Sequence, residues 1–111
     1  MIQRLSQYRV MWVMVFFDLP TTSKKEKKAY MSFKKSLQKD GFTMFQFSIY
    51  VRNCASMENA NVHMKRVKGF LPEVGNVCIM CITDKQFGDI EVFIGKRPAP
   101  PNSPGYQLEL F

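Results

Sequence analysis

Residues 13–28 read V-M-V-F-F-D-L-P-T-T-S-K-K-E-K-K. An apolar run stops at one carboxylate, Asp18, and a cluster of lysines opens at Lys24. Extended backwards, the run covers Tyr8 to Phe17, Y-R-V-M-W-V-M-V-F-F. It is nearly continuous rather than alternating, which predicts a central strand covered on both faces. A helix is expected next. Ser23 is a suitable N-cap and Glu26 completes a capping box. Ala29, Tyr30, Phe33 and Leu37 recur at spacings of three and four and form one apolar stripe. Asp40-Gly41 supplies the stop, with Gly41 as the left-handed residue.

Beyond that helix, residues 42–52 read F-T-M-F-Q-F-S-I-Y-V-R. Phe45, Phe47, Ile49 and Val51 alternate with Gln46, Ser48 and Tyr50, the pattern of a strand with one polar face. If two strands lie here, their junction is a bulge or tight bend near Phe45-Gln46. Ser56 can cap a second helix with Met57, Ala60, Met64 and Val67 on one side, ended by Gly69 or Pro72. His63 falls on the polar side of that helix. Residues 76–83, N-V-C-I-M-C-I-T, read as a strand apolar on both faces, D-K-Q-F-G-D as a turn, and residues 90–94 as a last short strand. The order strand, helix, strands, helix, strand predicts an α+β sandwich with an antiparallel sheet and two helices on one face. From Lys96 the run K-R-P-A-P-P-N-S-P-G holds four of the six prolines and reads as a linker without regular structure. The final Y-Q-L-E-L-F alternates like one more strand, able to add to a sheet edge. The expected division is a domain over residues 1–95 and a linker with a docking strand over 96–111.

The chain has 111 residues, enough for one domain with a single core. Sixteen basic residues against nine acidic ones give a net charge of +7 and favour polyanionic partners, nucleic acid first. No stretch is long and apolar enough to span a membrane, and no membrane partner is expected. Three cysteines without a leader-like N-terminus predict free thiols in a reducing, cytoplasmic context. Cys78 and Cys81 have metal-knuckle spacing, but that spacing on a strand places them on opposite faces, and with no second pair they read as core cysteines.

Asp18 is placed where a side chain leaves the sheet and becomes reachable. A lone Asp after a strand is also a common turn former or cap. The lysines argue for more than a turn. Lys24, Lys25, Lys27 and Lys28 fill the start of the helix, where cations oppose the helix dipole and acids would stabilise it. A helix N-terminus attracts anions, and lysines around it add point charges for phosphates. Lys34, Lys35 and Lys39 continue the basic face; the alternative is a solvated charged surface. One carboxylate cannot hold a hard cation alone. A two-fold axis near Asp18 would pair two carboxylates, which could hold one metal against a scissile phosphate. Gln46 and Ser48 are either solvent-facing or line the site.

V-M-V-F-F-D-L-P, the basic helix from K-K-E-K-K-A-Y to D-G-F, and Q-F-S-I-Y together closely resemble the second family of CRISPR-associated proteins, small spacer-acquisition proteins also described as endoribonucleases. The likeness covers about residues 8–95. It implies a ferredoxin-like βαββαβ domain, plus a C-terminal extra strand, forming a homodimer in which the last strand often crosses to the partner's sheet. It implies one Mg²⁺ or Mn²⁺ ion shared by two copies of Asp18, with Asp18 as the catalytic and metal-binding residue. Nucleic-acid contacts would fall to Lys24, Lys25, Lys27, Lys28, Lys34 and Lys35, with Phe17, Gln46 and Ser48 lining the site. The implied partners are dimers of the CRISPR integrase (the first family of CRISPR-associated proteins) and spacer or prespacer DNA or RNA. Many members carry Tyr where this chain has Phe17, and early arginines where it has lysines such as Lys25 and Lys27, which keep charge without bidentate grip. Three functions follow: a dimeric DNA-binding scaffold of spacer integration, with or without its own metal-dependent cleavage; a free-standing endoribonuclease toxin of the same fold; or a non-catalytic nucleic-acid or protein-binding module.

Overall fold

A computed structural model describes residues 10–99. β1 (Met11–Asp18) is followed by α1 (Lys24–Lys39), β2 (Thr43–Gln46), β3 (Ile49–Cys54), α2 (Met57–Gly69), β4 (Asn76–Thr83), a short α3 (Asp84–Gly88), β5 (Phe93–Ile94) and β6 (Arg97–Pro98). The first four strands form an antiparallel sheet in the order β2-β3-β1-β4, so β1 is central as expected. This is the predicted α+β, ferredoxin-like arrangement, closed by a small C-terminal hairpin of β5 and β6.

β1 divides its side chains between two cores. Val13, Val15 and Phe17 face α1 and α2, where they meet Phe33, Leu37, Tyr50, Ala60 and Val67. Each large side chain buried there contributes roughly 1.5–3 kcal/mol. Trp12 and Met14 point to the other face, with Phe45 and Val51. α3 lies over that face: the Phe87 ring stacks on Trp12 at 3.8 Å and 7°, and Trp12 Nε1 donates to Asp84 Oδ1 at 2.7 Å. This is why β1 reads as apolar on both sides.

α1 forms as its sequence predicts. Ser23 Oγ accepts from the Glu26 N–H, and the Glu26 carboxylate accepts from the N–H groups of Ser23 and Thr22, each at about 3.0 Å. The bond from the Ser23 N–H, chiefly, holds the Glu26 carboxyl below its ordinary pKa. Gly41 takes φ +90 after the helix.

Several expectations are corrected. β1 begins at Met11; Tyr8 and Arg9 lie outside the described residues, as does the terminal Y-Q-L-E-L-F. The 42–52 segment is two strands; the bulge expected near Phe45-Gln46 is present as a register shift between Met44 and Gln46, but the turn that joins the strands falls at Phe47-Ser48. Ser48 turns the chain at φ 66, and its carbonyl accepts the Phe17 N–H at 3.0 Å. Beyond the turn the pattern inverts, so Tyr50 is buried among the helices rather than on a polar face. D-K-Q-F-G is the helix α3, capped by Thr83 and Gln86, not a turn. Residues 90–94 supply only the two-residue β5, and the proline-rich run begins with β6, which pairs with it. Pro98 is tolerated there because the hairpin is narrow and edge-exposed; the next N–H, of Ala99, donates to Val92 O at 2.7 Å.

His63 is also corrected. It is 4% exposed and lies on the inner side of α2. Its Nδ1 bonds Asp40 Oδ2 at 2.8 Å, while Arg66 donates to Asp40 Oδ1 at 2.9 Å. Arg52 Nε adds a bond to the Asp40 carbonyl at 2.8 Å. Burial pushes the Asp40 carboxyl up, but the bonds from His63 and Arg66 together bring it below its ordinary value. Asp40 thus joins the end of α1 to α2 and β3.

Candidate active site at the end of the central strand

Alternation along β1 puts Asp18 on the same side as Trp12, Met14 and Phe16, away from the two long helices. Asp18 is exposed at the strand's last position. Across the ladder it stands opposite Asn76, the first residue of β4. The β2–β3 turn closes the other side, since Ser48 O accepts from the Phe17 N–H. The result is a shallow recess bordered by Phe16, Asp18, Ser48, Ile49, Asn76 and Cys78.

The predicted site residues separate here. Ser48 lies beside Asp18, through its turn rather than through a strand face. Phe17 contributes its backbone only. Its ring is in the helix-side core, edge-on to Phe33 at 5.2 Å and 5.7 Å from Tyr50. Gln46 is exposed and borders a neighbouring apolar trough with Met14, Phe45, Met80 and Ile90. Phe16 and Ile49 border both the trough and the recess. Asn76 was not singled out in the sequence, because only the β1–β4 register places it against Asp18.

Gly75 shapes the approach of β4. It takes φ +98, and an added Cβ would stand 2.6 Å from Leu19 Cδ2 and 2.9 Å from the Asp18 carbonyl oxygen. No larger residue fits between these segments without displacing the strand end.

The lysines of α1 fall into four settings. Lys24, Lys27 and Lys28 are exposed on the first turns. Lys28, Lys35 and Lys39 border one outer groove with Ser32 and Ser36. Lys25 borders a recess with Ser23, Glu26, Glu73 and Val74, next to the Gly75 segment that abuts Asp18. Lys34 is different: its Nζ lies 5.2 Å from the Tyr30 ring centroid, a cation–π contact.

The oxygen-bearing side chains at the recess are Asp18, Ser48 and Asn76, a donor set suited to a hard cation such as Mg²⁺ or Mn²⁺. Among the described residues no cluster of three or more His, Cys, Asp or Glu could hold a metal, and Asp18 is the one carboxylate bordering the recess. Also among those residues, no helix is long and apolar enough to cross a membrane.

Together these features define a small basic ferredoxin-like domain carrying one exposed carboxylate at the end of its central strand. The family model for CRISPR associated protein Cas2 matches residues 11–90, and the chain belongs to that family. It is 58% identical over 108 residues to a protein named CRISPR-associated endoribonuclease Cas2 from Flavobacterium psychrophilum, covering 97% of this chain and 94% of the relative. A protein of the same name from Parvibaculum lavamentivorans is 52% identical over 101 residues, 91% of this chain and all of the relative. Another, from Ligilactobacillus salivarius, is 40% identical over 78% of this chain and 86% of its own length.

Proposed function

We propose that two copies pair across the open face of the sheet, bring their Asp18 carboxylates together around one Mg²⁺ or Mn²⁺ ion, and bind a nucleic-acid backbone through the lysines of α1. The observation that carries this is the setting of Asp18: an exposed acid at the rim of the sheet face that bears Met14 and Met80, where the apolar Met80 side chain is 46% exposed. A face of that kind favours a protein partner. A second copy is the partner that also supplies the missing carboxylate. Among the described residues, the outer edge of β4 is unpaired and its sequence carries neither Lys nor Pro to blunt it. A strand from the other copy can close it.

Asp18 and its counterpart would hold the ion. When bound, it supplies charge neutralisation and lowers the pKa of a coordinated water. The recess beside Asp18 leaves room for a phosphodiester, and Lys25 and its neighbours hold the backbone. The relatives' name makes RNA a first substrate to test. The net charge of +7 and the outer groove of Lys28, Lys35 and Lys39 suit duplex DNA equally, as a scaffold within the CRISPR integrase complex during spacer acquisition.

The deciding experiment is Asp18→Asn, assayed for Mg²⁺-dependent cleavage of RNA and DNA and for support of spacer integration. Loss of cleavage with intact integration assigns both roles. Undiminished metal-dependent cleavage removes Asp18 from the chemistry. Sedimentation at working concentration should show a dimer; a monomer would overturn the paired site. Deleting residues 98–111 should abolish integrase binding, and unchanged complex formation would refute the docking role of that segment.

A further inference from the structure

We propose that Asn76 supplies a neutral oxygen ligand to the cation held by Asp18, so that each copy brings one carboxylate and one carboxamide to the shared ion. This rests on the paired, metal-bridged reading above. Asn76 is the direct partner of Asp18 in the β1–β4 ladder. Such antiparallel neighbours share a face and have Cβ atoms roughly 4.5–5.5 Å apart. Both residues are exposed and border the same recess. The Gly75 conformation lets β4 begin this close to the end of β1, since an added Cβ would collide with the Asp18 carbonyl. Asn is depleted in strands, so packing preference does not account for its place at the head of β4.

Charge explains why an amide suits this position better than an acid. Two Asp18 carboxylates already balance a divalent cation. Further carboxylates would leave the site negative and repel a phosphodiester, whereas amide oxygens fill hard-ligand positions without adding charge.

The test uses the full-length protein and Mn²⁺ as the probe, titrated by electron paramagnetic resonance without nucleic acid. Wild type, Asn76→Ala, Asn76→Asp and Asp18→Asn are compared, with sedimentation of each as a check on assembly. Asn76→Ala should raise the Mn²⁺ Kd about tenfold with the oligomeric state unchanged. Asn76→Asp, which keeps an oxygen donor and adds charge, should restore Mn²⁺ binding to at least the wild-type level while weakening RNA and DNA binding. Asp18→Asn should abolish saturable binding. If Asn76→Ala binds Mn²⁺ like wild type while Asp18→Asn does not bind, Asn76 is no ligand and the Asp18 reading stands. If Asp18→Asn retains wild-type affinity, both fall together.

Discussion

Gly75→Ala is the sharpest perturbation of the strand end. At φ +98 an alanine is strained by about 1–3 kcal/mol wherever it is placed. Its Cβ would also meet Leu19 Cδ2 at 2.6 Å and Asp18 O at 2.9 Å. The Leu19 methyl can rotate away, but the Asp18 carbonyl is backbone and the end of β1 must move. Overpacking of this kind costs a further 1–3 kcal/mol or so. The expected loss is therefore about 2–6 kcal/mol. Urea unfolding at fixed protein concentration should show the midpoint falling by roughly 1–3 M with little change in slope. Because the displaced atom belongs to Asp18, the metal-dependent cleavage proposed above should fall more steeply than stability predicts, by up to about a hundredfold for a shift near 1 Å. Gly88→Ala is the control: nothing lies within 4 Å of its Cβ position and its φ is not in the left-handed region. If Gly75→Ala unfolds within about 0.5 kcal/mol of the parent, a range typical of a neutral surface change, the close approach does not depend on glycine and the reasoning fails.

Asp40→Asn should lower stability at neutral pH and flatten its acid dependence. The carboxyl is held below its ordinary pKa in the folded state, so its contribution is present above the ordinary carboxylate range and is lost as pH falls through the folded value; an unchanged acid limb would refute this. Ser23→Ala should cost about 1 kcal/mol through loss of the cap, read as a drop in the thermal midpoint, while Thr in its place should largely restore it. Replacing Lys24, Lys25, Lys27 and Lys28 by Gln should reduce the salt dependence of nucleic-acid binding, by roughly 0.7–0.9 in the log–log slope for each lysine that touches a phosphate; an unchanged slope would return them to the solvated surface. Met80→Lys should shift sedimentation toward monomer by placing a charge on the open face, and a persistent dimer would locate the pairing surface elsewhere.

The parts of the fold that were readable in the sequence are those fixed by local chemistry. Ser23 and Glu26 announce the start of α1, Gly41 announces its end, and the unbroken apolar run of β1 announces a strand between two covers. The β2–β3 turn was hidden because a serine, not a glycine, takes the positive φ, supported by a bond from the Phe17 N–H, distant in sequence. That hidden turn is also what misplaced Tyr50. His63 was misread because its partner, Asp40, sits 23 residues away at the end of another helix. α3 was legible in Thr83 and Gln86, a capping box obscured by the turn-forming composition around it. At the candidate site, Asp18 could be found from its place after the strand. Asn76 and the role of Gly75 could not, since both depend on a ladder register that no local pattern encodes.

Trp12 is the only tryptophan in the chain, 3% exposed and sandwiched at 3.8 Å from Phe87 while its indole nitrogen holds Asp84. Tryptophan emission, excited beyond the tyrosine absorption, therefore reports on one place, the underside of α3 where it lies on the sheet. Any event that lifts or tightens this small lid should change the wavelength or lifetime of that signal without a label being attached. The chain carries its own optical gauge for whatever settles against this side of the sheet.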